Sequence, residues 1–490
     1  MSTSLKEKAF EASVWRLIAS FGIQGTNFFV QIALARILLP EDFGLVGMIY
    51  IFIAVTEVLV ISGFASALIQ RQTASYLDEC SVFHFNIVIS VVGCLTLMVV
   101  APWVASFYGY PILAPLVRVL SLKLIIGAFG HVHLSLLMKR IDFKSRCILD
   151  TVAVFVSGIV SISMAVYGFG VWSLVAQQMM KEAIRAVLAW KLNPWRPSMR
   201  FSASSLRQLF GFGSNVLLSA IINTIYRNIY FVVIGKRFSA RSLGFYSRAF
   251  RLQEIPSQHI SSVIGGVAFP VFSRVQGDRD SLAKGLKTSL GILALGVFPV
   301  MIMLALVARP LVVVLLTDKW LACVPYLQML CIVGALEPFF MLSAKIILAT
   351  GRSGLLLKLH LFQKAIAILT ILFTFRYGIT GIILGQIAAS LFCTLLISFI
   401  VGKLVTYSLY HQIRDVLPYL ALTAVSGAVV YSFQYLHISH DGALLLAQTI
   451  AGFGMYLSCC YLLKPKAFVV FLDLVRQSIQ KRSNSLQVST

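Results

Sequence analysis

The chain has 490 residues, 59% of them hydrophobic and only 12% charged, with a mean hydropathy of +0.88. A soluble domain carries about 25% charged residues, so this composition excludes a soluble enzyme and requires a bilayer. The net charge of +23, from 41 Lys and Arg against 18 Asp and Glu, is then read as charge on cytoplasmic loops rather than as a nucleic-acid footprint.

A spanning helix needs about 20 mostly apolar residues. The sequence predicts fourteen, over 14–36, 44–69, 82–107, 112–138, 148–167, 170–190, 208–234, 244–272, 288–308, 322–349, 355–375, 378–402, 415–436 and 443–463. The first begins after Glu11 and lacks a small-residue cleavage site, so it is expected to stay as a helix rather than to be removed as a signal peptide. The eighth is the least apolar, because it contains Arg248, Arg251, Glu254, Pro256 and His259. With a cytoplasmic N-terminus, the inner segments and their borders hold 24 Lys and Arg and the outer ones 7. Both termini are therefore expected on the cytoplasmic side. The largest extramembrane pieces are the 191–207 connection, with Trp195-Arg196-Pro197, and a basic tail over 464–490.

The chain repeats itself. Leu34-Ala35-Arg36 running into Phe43-Gly44-Leu45 returns as Ile234-Gly235-Lys236 running into Leu243-Gly244-Phe245. Pro115-Leu116 returns as Pro325-Tyr326, and Tyr167-Gly168 as Tyr377-Gly378. The expected organisation is an N-lobe over 1–190, the 191–207 connection, a C-lobe over 208–402, two extra helices over 403–463 and the tail. Two six-helix lobes related as repeats are a transporter architecture, with the substrate site between them.

The residues that carry chemistry form polar stripes. Arg16, Ser20, Gln24, Asn27 and Gln31 step by three or four along the first helix, and Asn215, Ser219, Asn223 and Arg227 along the seventh. Arg248, Arg251, Glu254, Gln258 and Ser261 do so along the eighth. Such steps place each set on one helix face. An Arg facing lipid at mid-depth costs about 2.5–3.5 kcal/mol, so these faces line water, or else pair with one another, as Arg251 with Glu254. Cations within or beside the helices outnumber acids, which favours an anionic substrate, and phosphate suits guanidinium donors. Some of these cations, Arg16, Lys181 and Arg185, lie near cytoplasmic ends and are expected to reach the headgroups. Glu57 is a lone acid in the second helix, either a coupling site or an ion-pair partner.

Several motifs point away from other chemistry. The eight cysteines form no CxxC pair and read as small apolar residues. His131 and His133 lack further convergent ligands, so no metal or other cofactor is expected. Asp278-Arg279-Asp280 reads as a helix cap, and no Walker A motif is present.

Longer runs carry a family likeness. They are Leu34-Ala35-Arg36-Ile37-Leu38-Leu39-Pro40-Glu41-Asp42-Phe43-Gly44, Ala67-Leu68-Ile69-Gln70-Arg71 and Gly168-Phe169-Gly170-Val171-Trp172-Ser173-Leu174-Val175. Tyr226-Arg227-Asn228, Leu243-Gly244-Phe245-Tyr246-Ser247-Arg248-Ala249 and Phe269-Pro270-Val271-Phe272-Ser273 complete the set. Together these resemble the polysaccharide-exporting branch of the multidrug/oligosaccharidyl-lipid/polysaccharide (MOP) flippase superfamily, in particular its colanic-acid-exporter-like members. The resemblance runs over roughly residues 5–410. It implies a V-shaped pair of six-helix lobes, alternating access, and an undecaprenyl-pyrophosphate-linked oligosaccharide as cargo. On that reading Arg227, Arg248 and Arg251 hold the pyrophosphate, with Arg16 on the same kind of stripe. Gln24, Asn27, Gln31, Asn223 and Gln258 bond sugar hydroxyls. Polymerase and glycosyltransferase partners would work on either side of the step. The rivals are a cation-coupled multidrug exporter, which would need acids in the cavity, and a membrane-embedded polymerase or ligase, which would need a large outer loop.

Overall fold

A computed structural model describes residues 22–70, 75–140, 142–435, 440–470 and 472–473. Among them every regular element is helical. In chain order these are α1 (22–37), α2 (Pro40–Gln70), α3 (Tyr76–Tyr108), α4 (Leu113–Lys139), α5 (Phe143–Val166), α6 (Val171–Leu192), α7 (Ala203–Arg237) and α8 (Ala240–Arg274). They continue with α9 (Arg279–Leu306), the short α10 (Ala308–Leu316), α11 (Val324–Ala349), α12 (Ser353–Thr374), α13 (Gly378–Leu404), α14 (Leu409–Ser432) and α15 (Asp441–Leu463). Each of the fourteen expected spans overlaps one of these helices. Ten stretches of the described residues are long and apolar enough to cross a membrane; α6 and α8 are not among them. The sequence reading missed α10.

Local chemistry sets the helix ends. Ser75 caps α3 by accepting from the Asp78 N–H while Asp78 bonds back to the Ser75 N–H, which satisfies two orphan donors at once. The same helix stops at Gly109, which takes a left-handed conformation that costs glycine nothing. Asp278 caps α9 by accepting from Asp280 N, the role expected of the Asp-Arg-Asp run. Its hydrogen bonds from the Ser281 side chain and backbone hold the carboxyl below the ordinary carboxylate range.

The chain divides into two compact units, Met1–Ser247 and Arg248–Thr490, so the division falls inside α8. In the first unit α2 packs along α7, α3 on α4, and α6 on both α4 and α5. Small residues permit these approaches, as is general for helices in lipid. A Cβ on Gly130 would meet the Ala186 Cα at 3.1 Å, and one on Gly158 would meet the Val30 side chain at 2.4 Å. The tightest approach is reciprocal. A Cβ on Gly44 would lie 1.7 Å from the Ala240 carbonyl oxygen, and one on Gly244 would lie 1.8 Å from the Pro40 carbonyl oxygen. The two glycines are related by the sequence repeat, and so are the two backbones they touch.

The 191–207 connection is pinned to the first unit rather than draped over it. Trp195 is buried in a cluster with Phe83, Val132 and Leu136. The Trp195 carbonyl lies 3.2 Å from His133 Nε2, the Tyr76 hydroxyl donates to Arg196 O, and Ser202 N–H donates to Ser81 Oγ.

In the second unit α11 packs on α9 and α13, and α14 and α15 are fastened to α9. Tyr456 Oη donates to Leu295 O at 2.9 Å, and Lys287 Nζ lies 2.9 Å from Asp415 Oδ2. Further along, Tyr419 Oη accepts from Ala467 N at 3.0 Å. Pro256 and Pro270 both sit within the 35 residues of α8 without ending it.

Candidate functional site

Arg16 lies outside the described residues, as do Ser20 and most of the tail. The rest of the first stripe is on α1. Gln24 is exposed, Asn27 half-buried, and Gln31 Nε2 donates to Gln177 Oε1 on α6 at 3.2 Å. Gln177 was missed in the sequence although Ser173, Gln177, Lys181 and Arg185 step by four along α6. On α7, Ser219, Asn223 and Arg227 are all exposed, one above the next. Asn228, by contrast, turns back on its own helix and donates to Thr224 O.

The stripe on α8 is wired together. Glu254 is 6% exposed, and both of its oxygens accept hydrogen bonds. Arg251 Nη1 donates to Oε2 at 2.8 Å, and Gln258 Nε2 donates to Oε1 at 2.8 Å. The buried carboxylate therefore fixes an exposed guanidinium on one side and an exposed amide on the other. Three steps before Arg251, the Arg248 guanidinium carbon sits 5.8 Å from the ring centre of the fully buried Trp320. A guanidinium at that distance from an indole face is held by about 0.5–2 kcal/mol of cation–π attraction. The same unit carries Lys345 Nζ 5.9 Å from the Phe269 ring centre.

Glu57 on α2 meets Lys123 on α4, with Nζ to Oε2 at 3.0 Å. Of the two roles left open for this lone acid, the geometry shows an ion pair, with a lysine as its partner. The expectation that Arg185 reaches the headgroups is corrected. Its Nε donates to Asp150 Oδ1 at 2.9 Å, and its Nη1 lies 3.2 Å from Glu182 Oε1. Two carboxylates inside the unit offer more than water at a distant interface does.

These helices, spans and stripes define a multi-pass helical membrane protein. Its fold is similar to that of a solved structure titled lipid II flippase MurJ, inward closed conformation, with a TM-score of 0.74 over 91% of this chain and 98% of that chain, at 14% identity. The particular family follows from sequence. Residues 33–325 match the family model for polysaccharide biosynthesis proteins, and the chain belongs to that family. Lipopolysaccharide biosynthesis protein WzxC of Escherichia coli (strain K12) is 26% identical over 412 residues, which is 84% of each chain. Succinoglycan biosynthesis transport protein ExoT of Rhizobium meliloti (strain 1021) is 29% identical over 340 residues, or 69% of each. The superfamily resemblance read from the motifs is thus borne out.

Proposed function

We propose that the protein moves a lipid-linked oligosaccharide across the bacterial inner membrane for surface polysaccharide synthesis, with no covalent bond made or broken. The cargo of this reading is an undecaprenyl-pyrophosphate-linked repeat unit, received from glycosyltransferases on the cytoplasmic side and passed to a polymerase outside. Both termini are cytoplasmic, as the distribution of Lys and Arg favours. The names of the relatives support this reading: one is a lipopolysaccharide biosynthesis protein, one a succinoglycan transport protein, and the solved flippase handles lipid II.

The observation that carries the proposal is Arg251. A guanidinium has five N–H donors in a rigid fork, and here one bond to a buried carboxylate sets its direction while the side chain stays 56% exposed. The remaining donors suit a phosphate, which takes two parallel N–H bonds. Arg227 and Arg248 join it on the pyrophosphate, and Gln24, Asn27, Gln31, Asn223 and Gln258 bond sugar hydroxyls. Alternating access exposes these stripes to one side and then the other while the prenyl tail stays in lipid.

The test is the purified chain in vesicles with a prenyl-pyrophosphate-linked oligosaccharide in one leaflet. Wild type equilibrates the cargo between leaflets, Arg251→Ala does not, and Arg251→Lys, which keeps the charge but not the fork, is slow. A wild-type protein that leaves the cargo in place overturns the reading.

A further inference from the structure

We propose that the outer face of the first unit carries a phosphate site, built from Arg36, Lys236, Arg237 and Arg241, that receives the cargo's pyrophosphate once it has crossed. This rests on the transport reading and the cytoplasmic termini above. From those termini, successive helices put the turns after α1, α3, α5 and α7 on the outer side. These turns gather at one end of the unit. Ala240 N–H donates to Tyr110 Oη at 3.1 Å, and a Cβ on Gly170 would lie 3.5 Å from Asp42 Oδ1. Gly44 and Gly244 bring the α1–α2 and α7–α8 turns together backbone to backbone.

Outer segments of an inner-membrane protein are poor in cations. Here they hold seven Lys and Arg, and four of the seven fall on this one seam. All four are exposed. The acids on the same two turns are Glu41 and Asp42, and Asp42 already accepts from Leu39 N–H at 2.9 Å. Topology does not ask for this cluster, since the same rule would leave the outer face without it.

Arg241 stands against the interest of its own helix. The repeat pairs it with Glu41. The first turn of α2 carries Glu41 and Asp42, whereas that of α8 carries no acid. A helix N-terminus is a positive end that favours carboxylates and disfavours cations. Helix stability would therefore put an acid at position 241, and a basic face explains the arginine. Lys236 and Arg237 lie in the last turn of α7. Lys236 Nζ donates to the Phe107 carbonyl and lies 4.6 Å from the Phe107 ring centre, which ties the cluster to the outer end of α3. Phe107 and its neighbour Trp103 are exposed there, and exposed rings at a helix end mark the headgroup level.

An exposed set of guanidinium forks and one ammonium at headgroup depth suits a lipid phosphate. A phosphodiester headgroup brings one negative charge and a pyrophosphate link brings two, so the occupant that better matches four cations is the pyrophosphate. The site gives that group a partner in the outer leaflet when it leaves the Arg227 and Arg251 stripes.

The experiment uses full-length protein in sealed vesicles and a photoreactive farnesyl pyrophosphate added to one side only. With the outer face exposed to the probe, the label should fall on the 36–42 and 236–245 turns, and inorganic pyrophosphate should displace it. Arg241→Glu installs the acid that the helix end favours, so that variant should accumulate normally while its labelling falls at least tenfold. Lys236→Gln, which keeps the α8 end unchanged, should lower labelling in the same direction. Labelling of these turns that Arg241→Glu leaves unchanged overturns the site. So does label displaced as well by a short-chain phosphatidylglycerol as by pyrophosphate, which would make this a general phospholipid contact. A wild type that moves lipid-linked oligosaccharide between leaflets yet takes no label at these turns overturns the site alone. Cargo that wild type never moves overturns the transport reading itself.

Discussion

Gly44→Ala should destabilise the first unit by about 2 kcal/mol. Ordinary van der Waals contact begins near 3.4 Å, and the new methyl would lie 1.7 Å from the Ala240 carbonyl oxygen, so the two backbones must part by about 1.7 Å. Neither partner is a side chain that can rotate aside. A radial gap of 0.5–1 Å already forfeits about a quarter to a half of the dispersion attraction across a contact, and overpacking of this kind costs about 1–3 kcal/mol. A backbone clash belongs at the upper end, about 3 kcal/mol. Replacing glycine by alanine inside a helix returns about 1 kcal/mol, which leaves about 2. For a unit of this size that lowers the melting temperature by about 4–8 °C. Thermal unfolding of the purified protein in detergent reads it. Gly244→Ala, the repeat-related change against Pro40, should cost about the same. The double variant should cost clearly less than the sum, because one methyl has already opened the seam for the other. Gly25→Ala is the control, since nothing lies within 4 Å of the Cβ it would add. A Gly44→Ala protein as stable as wild type, or fully additive costs, would refute the reciprocal contact.

The remaining predictions use the charged groups. Lys123→Ala should cost about 3 kcal/mol because it strands Glu57 among apolar helices, whereas replacing both partners by leucine should cost far less; chemical unfolding of the two variants separates these outcomes. Glu254→Gln should leave the chain folded yet slow export, because Arg251 loses the carboxylate that aims it, and surface polysaccharide in a complemented strain measures the loss. A two-charge pyrophosphate leaving a negative interior gains about 2.3 kcal/mol per charge per 100 mV. Clamped potentials in vesicles should therefore shift the leaflet ratio steeply, and indifference to potential would count against a charged cargo. The Asp278 carboxyl is held low in the folded chain, so its support of α9 is present above the ordinary carboxylate range and is lost as pH falls through the depressed value. Hydrogen exchange over the first turn of α9, compared between wild type and Asp278→Ala, follows it.

Much of the fold was legible because the bilayer imposes a simple rule, about 20 apolar residues per span. Each of the fourteen expected spans overlaps one helix, including α8, which hydropathy alone would have passed over and the repeat recovered. The short α10 was missed because nine residues, Pro310 among them, give too brief a pattern to separate from the end of α9. The candidate site was legible as spacing and not as contact. Steps of three and four placed Asn223 beside Arg227 and Glu254 beside Arg251 and Gln258, since a helix makes those neighbours by geometry alone. Contacts between helices left no local signal. Nothing near Glu57 names Lys123, nothing near Gln31 names Gln177, and nothing near Arg248 names Trp320 as the ring beneath it. Arg185 was misjudged partly for the same reason: Asp150 on α5 left no signal near it, although Glu182, three residues earlier on the same helix, did.

The measurement that tests the central claim most directly is mass spectrometry of prenyl-linked lipids from a strain lacking this gene, beside its parent. The account predicts that a complete pyrophosphate-linked repeat unit accumulates in the mutant while surface polysaccharide disappears. Surface polysaccharide that persists, with no such lipid building up, would contradict it.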